Sequence, residues 1–108
     1  MEKNIQINIQ ELIGLKKSFM LYVGGEYCSV CKVLQPKIFD AFDREFPNID
    51  KLSIDIEDQR EFAAQQNIFA VPTIIVYFDS KEFKRYGRNM SVPLFLDEIK
   101  RPYELMCE

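Results

Sequence analysis

Histidine and tryptophan are absent from this chain of 108 residues, and cysteine occurs only three times. A tetrahedral zinc site takes four ligands, mostly from cysteine and histidine, so the missing histidines and scarce cysteines argue against a zinc centre. Three cysteines are also too few for the disulfide framework of a small secreted domain. The composition therefore disfavours both the zinc-stabilised and the disulfide-stabilised classes of small protein.

Long hydrophobic runs are missing as well. The longest apolar stretch, residues 74–78, has the length of a strand, whereas a membrane-spanning helix needs about 18 apolar residues or more. The N-terminus lacks the apolar core of a secretory signal, so we expect a cytoplasmic protein without membrane contact. The net charge is −3 and the pI about 5.0, so no overall positive field favours nucleic acid.

Repeats, low-complexity tracts and linkers rich in Gly, Ser or Pro are also missing. The chain is 47% hydrophobic, with nine Phe and five Tyr, which suffices for one buried core. We therefore expect one domain that spans residues 1–108.

Hydrophobic periodicity predicts strands that alternate with helices, an arrangement typical of a mixed sheet covered on both faces. The expected elements are, in order, an edge strand at 4–7, a helix at 8–17, a strand at 19–23, a helix at 29–46, a strand at 52–56, a helix at 58–66, a hairpin of strands at 73–78 and 82–86, and a helix capped by Ser91.

Local signals predict several helix boundaries. Asp58 and Glu61 have the spacing of a capping box that begins a helix, and Asn67 is a left-handed stop for the same helix. Pro36 lies inside a predicted helix and should kink it, because proline removes one backbone hydrogen bond. Pro102 is expected to end or bend the last helix for the same reason.

The segment Cys28-Ser29-Val30-Cys31 places two thiols two residues apart at a predicted strand-to-helix junction. On a helix, positions i and i+3 share one face, so the two sulfurs can close a small disulfide ring. The first thiol would lie at the helix N-terminus, where unpaired N–H groups and the positive dipole end lower a thiol pKa towards 7. Spacing and placement therefore predict redox chemistry.

Several segments together resemble the thioredoxin family, over nearly the whole chain. Residues 27–32 read aromatic-Cys-x-x-Cys-Lys, and Pro36 follows the second cysteine by five residues, as the family's helix proline does. Ile54-Asp55 resembles the end of a family strand, residues 68–73 resemble the segment with the family's cis-proline, and Gly87 fits a glycine at the fifth strand. The resemblance implies the thioredoxin fold, an α/β fold with a mixed sheet of four to five strands flanked by helices on both faces.

The resemblance also implies a thiol–disulfide oxidoreductase that reduces disulfide-containing partner proteins. Cys28 would attack the partner disulfide and form a mixed disulfide, and Cys31 would resolve it. No bound cofactor is required, electrons would come from an upstream reductase, and we expect a monomer.

A shallow substrate groove is the next expectation. The resemblance places a cis Val71–Pro72 bond beside the cysteines, where the Val71 backbone can pair with an extended partner segment. From the residue pattern alone, Pro72 would instead be the first residue of a strand with an ordinary trans bond. Tyr27 and Gly87 complete the expected groove, although Tyr27 is equally compatible with a place in the core.

Four residues modulate the expected chemistry. Ser29-Val30 stands where thioredoxins proper carry Gly-Pro, which leaves the helix start less pre-organised. Tyr22 stands where thioredoxins usually bury an aspartate, and a phenol is a poor base at neutral pH. We therefore expect slower resolution by Cys31, with a plain core aromatic as the alternative. Lys51 resembles the lysine that accompanies that aspartate and is expected to lack its partner.

Two other functions stay open at this stage. A thioredoxin-fold binding module would hold a partner while its cysteines turn over little, and an oxidant or isomerase would pass electrons in the other direction. The absence of a histidine between the cysteines favours a reductant. Cys107, one residue from the C-terminus, is most simply incidental, with regulation or dimer formation as the alternative.

Overall fold

The structure, a computed structural model, describes residues 18–107. The strand and helix predicted at residues 4–7 and 8–17 lie outside this range. In chain order the described elements are β1 (Phe19–Gly24), α1 (Ser29–Glu45), β2 (Asp50–Asp55), α2 (Arg60–Gln65), β3 (Thr73–Phe78), β4 (Lys81–Tyr86) and α3 (Val92–Met106).

The four described strands form one mixed sheet in the order β2-β1-β3-β4. Strand β1 runs parallel to β2 and antiparallel to β3, and β3 pairs with β4 as an antiparallel hairpin. Because β1 has a neighbour on each side, residues 19–23 are fully buried. The continuous apolar run had predicted a strand covered on both faces, and this is confirmed.

Side chains of β1 alternate between two cores, because successive residues of a strand point to opposite faces of the sheet. Met20 and Tyr22 contribute to the core under α1 and α3, whereas Leu21 and Val23 contribute to the core under α2. Helices thus cover both faces, which confirms the predicted fold class. The buried helical residues include Cys31, Ile38, Phe42, Phe95 and Ile99 on the first face, and Phe62 and Ala63 on the second.

The predicted capping box at Asp58 and Glu61 is wrong. Helix α2 begins at Arg60, and its N-cap residue, Gln59, makes no side-chain capping bond. Successive turns occupy the preceding residues, because the Asp58 N–H donates to the Asp55 carbonyl at 3.0 Å. The predicted stop is confirmed, since Asn67 follows α2 with a left-handed φ of 59°.

Helix α3 begins where the sequence predicts and ends later. The Leu94 N–H donates to the Ser91 hydroxyl at 3.3 Å, so Ser91 caps the helix as expected. Pro102 was expected to end or bend the helix; an end at Pro102 is wrong, because α3 continues to Met106, and a bend there stays a prediction. Packing explains the continuation: the ring of Tyr103, one residue beyond, contacts the ring of Phe46 at a centroid distance of 5.0 Å.

The hairpin between β3 and β4 turns at Asp79 and Ser80, as predicted. Both residues have positive φ, at 60° and 69°, which suits a tight two-residue turn between twisted strands. Beyond the turn, the Tyr86 hydroxyl donates to Glu98 Oε1 at 2.8 Å, and Lys84 lies 3.1 Å from Glu98 Oε2. These contacts fix the edge strand β4 to α3.

Candidate active site

The two cysteines lie at the start of α1, just beyond the end of β1. After Gly24 the chain makes a short turn in which the Cys28 N–H donates to the Gly25 carbonyl at 3.1 Å. Cys28 is the N-cap residue of α1, and Cys31 lies in the first turn of the helix. The two residues form a disulfide, with a Cα–Cα distance of 5.3 Å. The spacing therefore brings the sulfurs together as predicted.

The two cysteines differ in access to solvent. Cys31 is only 3% exposed and belongs to the core, whereas Cys28 is half-buried at its edge. Cys28 Sγ accepts the Cys31 N–H at 3.2 Å. In the reduced protein this N–H and the positive helix end would stabilise negative charge on Cys28 Sγ. The outer sulfur is thus the one that a partner protein can reach.

Tyr22 lies directly beneath Cys31. Its ring is fully buried, and its hydroxyl donates to the Cys31 carbonyl at 3.0 Å. Burial raises the pKa of Tyr22 to about 12, so the phenol stays neutral at physiological pH. The structure therefore agrees with the alternative interpretation of Tyr22, a core aromatic whose hydroxyl is hydrogen-bonded.

Lys51 on β2 has an acidic partner, so the expectation that it lacks one is wrong. Its Nζ contacts the Asp43 carboxylate on α1. In the parallel pairing of β1 and β2, Lys51 lies opposite Met20 rather than Tyr22. The partner could not be identified from the sequence, because only the packing of α1 over the sheet brings Asp43 to this strand.

The loop before β3 approaches the cysteines from the other side. The Val71–Pro72 peptide bond is cis, as the resemblance implied, and Pro72 is buried. A Cβ placed on Gly25 would lie 3.6 Å from Val71 Cγ2 and 3.8 Å from Cys28 Cβ. Gly25 therefore lies between Val71 and Cys28. A side chain at position 25 would occupy the space between these two residues.

The remaining predicted groove residues lie at the surface. Tyr27, next to Cys28, is 93% exposed, so its alternative place in the core is wrong. Ser29 and Val30 are exposed in the first turn of α1. Gly87, after β4, is exposed, and no atom of the described residues lies within 4 Å of a Cβ placed there. The contribution of Tyr27 and Gly87 to partner binding stays a prediction, as does the modulation of the cysteines by Ser29 and Val30.

Comparison with known proteins agrees with this geometry. The family model described as thioredoxin matches residues 3–100. The chain belongs to the thioredoxin family. The thioredoxin-like protein YdfQ of Bacillus subtilis is 29% identical over 99 residues, which cover 92% of this chain and 88% of that protein. Thioredoxin of Mycoplasma genitalium is 30% identical over 77 residues, 71% of this chain and 74% of that protein.

Solved structures place the chain in the same family. Thioredoxin 1 of Thermosipho africanus has a TM-score of 0.71 and 32% identity, covering 82% of this chain and 98% of that one. Oxidised thioredoxin O2 of Arabidopsis thaliana has a TM-score of 0.79 at 14% identity and so supports the thioredoxin fold alone. With the Cys28–Cys31 pair, these findings establish a thiol–disulfide oxidoreductase, which confirms the predicted family and activity.

One exposed aromatic of this thioredoxin-family chain was missed at the sequence level. Phe69, two residues before Val71, is 78% exposed. It lines a cavity of about 230 Å³ between α2 and the loop that precedes β3. The position of this aromatic residue in a predicted loop could have indicated a surface role for Phe69. Its exposure, however, depends on how the loop packs against the core. The lining residues are Ile56, Glu57, Arg60, Ala63, Ala64, Ile68 and Phe69.

Cys107 lies at the end of α3 and is a free, exposed thiol. Its sulfur accepts the Asn48 side-chain N–H at 3.5 Å, and the Asn48 backbone N–H donates to the Tyr103 hydroxyl at 3.3 Å. Across residues 18–107, no group of three His, Cys, Asp or Glu is placed to hold a metal ion. None of the helices in the same range is long and apolar enough to cross a membrane.

Proposed function

We propose that this thioredoxin-family protein reduces disulfides in partner proteins, with Cys28 as the attacking and Cys31 as the resolving residue. The difference in exposure between the two cysteines is the observation that supports these roles, since Cys28 is half-buried and Cys31 is 3% exposed. A partner sulfur can approach the outer residue, and the inner one then reaches only the sulfur of Cys28.

The reaction has two exchange steps. The Cys28 thiolate attacks one sulfur of the partner disulfide, a mixed disulfide forms, and the other partner sulfur leaves as a thiolate. Cys31, as a thiolate, then attacks Cys28 Sγ, which closes the Cys28–Cys31 disulfide and releases the second partner sulfur. Two electrons pass to the partner, and its two thiolates take up protons. The Cys28–Cys31 disulfide in the structure corresponds to the protein after both exchange steps.

A partner polypeptide would bind across the surface around Cys28. The backbone of Val71 pairs with an extended segment, the buried Pro72 shapes the turn, and Tyr27 and Gly87 border the contact. We add Phe69 and its cavity to this surface, because an exposed aromatic beside a cavity offers apolar contact area. Ser29 and Val30, which complete the first turn of α1, would tune the reduction potential of the pair.

The cellular setting follows from the same proposal. After each turnover an upstream reductase returns two electrons to the Cys28–Cys31 pair, which makes the protein a component of electron transport and redox homeostasis. We propose a monomer in the cytoplasm, organised as one domain and acting without a bound cofactor. Reducing compartments keep such a pair available as a dithiol.

The first experiment is catalysed reduction of a disulfide-linked test protein such as insulin by dithiothreitol. Catalytic amounts of the wild-type chain should accelerate the reaction, and Cys28→Ser should show the uncatalysed rate. An unaccelerated reaction with the wild-type chain would favour the binding module over the reductase. The redox equilibrium of the pair with glutathione then gives the direction of electron flow, since an oxidant would be reduced under mild conditions.

The second experiment separates the roles of the two cysteines. Cys31→Ser should accumulate a mixed disulfide between Cys28 and the test protein, visible as a dithiothreitol-sensitive increase in mass. Both variants carry Cys107→Ser as well, which removes the free, exposed thiol at the end of α3. Cys28→Ser is then the matched control and should form little adduct, because the one remaining sulfur, that of Cys31, is buried. Equal trapping by both variants would contradict the assigned order of attack.

A further inference from the structure

We infer that Tyr22 is a positioning residue, whose hydroxyl stabilises the closed Cys28–Cys31 disulfide relative to the dithiol. The inference rests on the proposed dithiol exchange and concerns its equilibrium rather than its partner. It does not require Tyr22 to accept or donate a proton during the reaction.

The contact joins the sheet to the first turn of the active-site helix. Tyr22 belongs to β1, and its hydroxyl donates to the Cys31 carbonyl at 3.0 Å within the buried core. The ring is held from the side by Phe39, whose ring lies edge-on at a centroid distance of 6.1 Å. A fully buried ring with neighbours on several sides has few alternative rotamers, so the hydroxyl is a fixed attachment point.

Gly24 lies between Tyr22 and Cys31, and a Cβ there would be at ordinary contact distance from both. A Cβ placed on Gly24 would lie 3.4 Å from Cys31 Cβ, 3.5 Å from Tyr22 Cε1 and 3.7 Å from Cys31 Sγ. The first turn of α1 therefore rests directly on the end of β1, with the glycine backbone and the tyrosine ring as its support. A change in the length or polarity of the side chain at position 22 would therefore alter the position of the Cys31 sulfur.

Contacts at its N-terminus and the nearby Pro36 also shape the first turn of α1. Its start is held by Cys28, which accepts the Cys31 N–H on its sulfur and the Lys32 N–H on its carbonyl. Pro36 has no N–H, so the carbonyl four residues earlier, that of Lys32, lacks its usual helical donor. The hydrogen bond from Tyr22 thus constrains a turn whose own helical bonding is reduced.

The consequence for the redox equilibrium is entropic. In the dithiol the two sulfurs are no longer bonded, and a constrained first turn keeps the Cys31 sulfur close to that of Cys28. Because the first turn of α1 is already ordered in the dithiol, forming the disulfide costs little further conformational entropy. The lower entropy cost favours the disulfide. Without the hydroxyl the dithiol gains conformational freedom that closure must remove, so the equilibrium shifts towards the dithiol.

The test is Tyr22→Phe, which removes one oxygen and leaves the ring in place. We expect the constant for oxidation of Cys28 and Cys31 by glutathione to fall roughly threefold to tenfold, in line with one buried hydrogen bond. A tenfold fall corresponds to about 30 mV towards a more oxidising couple. The thermal midpoint of the oxidised form should also fall by more than that of the dithiol form.

Tyr77→Phe is the matched control. Tyr77 is 3% exposed on the other face of the same sheet, and its buried hydroxyl has no hydrogen-bond partner among the described residues. Removing it deletes the same atom from a buried tyrosine without affecting the active-site helix. The oxidation constant of this variant should equal that of the wild-type chain.

An unchanged oxidation constant in Tyr22→Phe, with equal loss of stability in both redox forms, would overturn the inference and leave the hydroxyl a packing element. The measurement does not depend on catalysis. A wild-type chain that fails to accelerate insulin reduction would contradict the proposed function, while the glutathione equilibrium would still decide the role of Tyr22.

Discussion

The Tyr22 side chain, a neutral phenol, lies directly beneath Cys31, whose sulfur is buried. Its hydroxyl is occupied by the Cys31 carbonyl, and its pKa of about 12 prevents it from acting as a base at neutral pH. Resolution of the mixed disulfide requires Cys31 as a thiolate, so its proton must leave by another route. At the scale of single residues, we therefore expect the deprotonation of Cys31 to depend on residue 22.

Tyr22→Asp should therefore accelerate resolution of the mixed disulfide at neutral pH. A buried carboxylate beside the thiol can accept its proton, which the phenol cannot. The rate is measured by stopped-flow mixing of the Cys28 mixed disulfide with buffer at several pH values. We expect a gain of roughly tenfold or more, less than the usual general-base effect of about a hundredfold or more because the new base is not optimally placed.

Tyr22→Asn is the control for this change, because it loses the same ring and hydroxyl without gaining a base. Both variants should be less stable than the wild-type chain, since each leaves a cavity under α1. Equal resolution rates for Asp and Asn at position 22 would show that proton acceptance is not what limits the step.

Other single residues show where sequence reasoning succeeded and where it failed. Cys28 and Cys31 could be predicted as a pair because their spacing acts within one helical turn. The partner of Lys51 could not, because Asp43 reaches it only through the packing of α1 on the sheet. The exposure of Tyr27 and Phe69 likewise depends on which side of each loop faces the core.

Capping decides where the helices begin, and here two similar patterns had different outcomes. Ser91 caps α3 through its hydroxyl, with the Leu94 N–H 3.3 Å away. Asp58 has the same spacing to an acidic residue as a capping box but lies in turns before α2. An N-cap residue must directly precede the first helical residue, and because α2 begins at Arg60 that position belongs to Gln59 rather than to Asp58.

At this scale of elements, Ser91→Ala should lower the free energy of unfolding by about 1 kcal/mol, the usual cost of losing a helix cap. Asp58→Ala is the matched control and should change it by less than about 0.5 kcal/mol, because Asp58 caps no helix. Urea unfolding of both oxidised variants measures the difference. Equal losses for the two substitutions would contradict the capping geometry described for α3.

Proline effects also belong to this scale. Pro36 and Pro102 both lie inside helices that continue past them. A proline inside a helix costs about 3 kcal/mol, because it removes a hydrogen bond and its ring clashes with the preceding turn, and contacts of the flanking residues with the core can exceed this cost. Tyr103 provides such contacts after Pro102, through Phe46. The sequence predicts the local cost but not the tertiary contacts that offset it.

At the scale of the whole molecule, two tyrosines, Tyr22 and Tyr77, are buried in the two cores on opposite faces of one sheet. Desolvation is the main cause that raises the pKa of Tyr22 and of Tyr77 to about 12, from an ordinary value of about 10. The folded chain thus holds both phenolic protons more tightly than the unfolded chain does. Their contribution to stability is complete below pH 10 and is lost as pH rises through 12.

The oxidised protein should therefore lose stability steeply between pH 10 and 12. Each of the two tyrosines contributes a slope of about 1.4 kcal/mol per pH unit in this interval. Urea unfolding at several pH values in this interval measures how the free energy of unfolding changes with pH. In the double variant Tyr22→Phe, Tyr77→Phe this dependence should be shallower by the contributions of both tyrosines. A double variant with the wild-type slope would show that these phenols are not the groups responsible.

The sequence by itself determined the strand and helix order over the described residues, the family and the redox pair, because periodicity and the i, i+3 spacing of Cys28 and Cys31 act between near neighbours. Only the tertiary structure decided which groups contact those cysteines. The hydroxyl of Tyr22 on the Cys31 carbonyl joins β1 to α1, and the approach of Val71 to Cys28 across Gly25, which the family resemblance implied, joins segments far apart along the chain. Such contacts follow from the packing of α1 and the loop before β3 against β1, which no local pattern encodes.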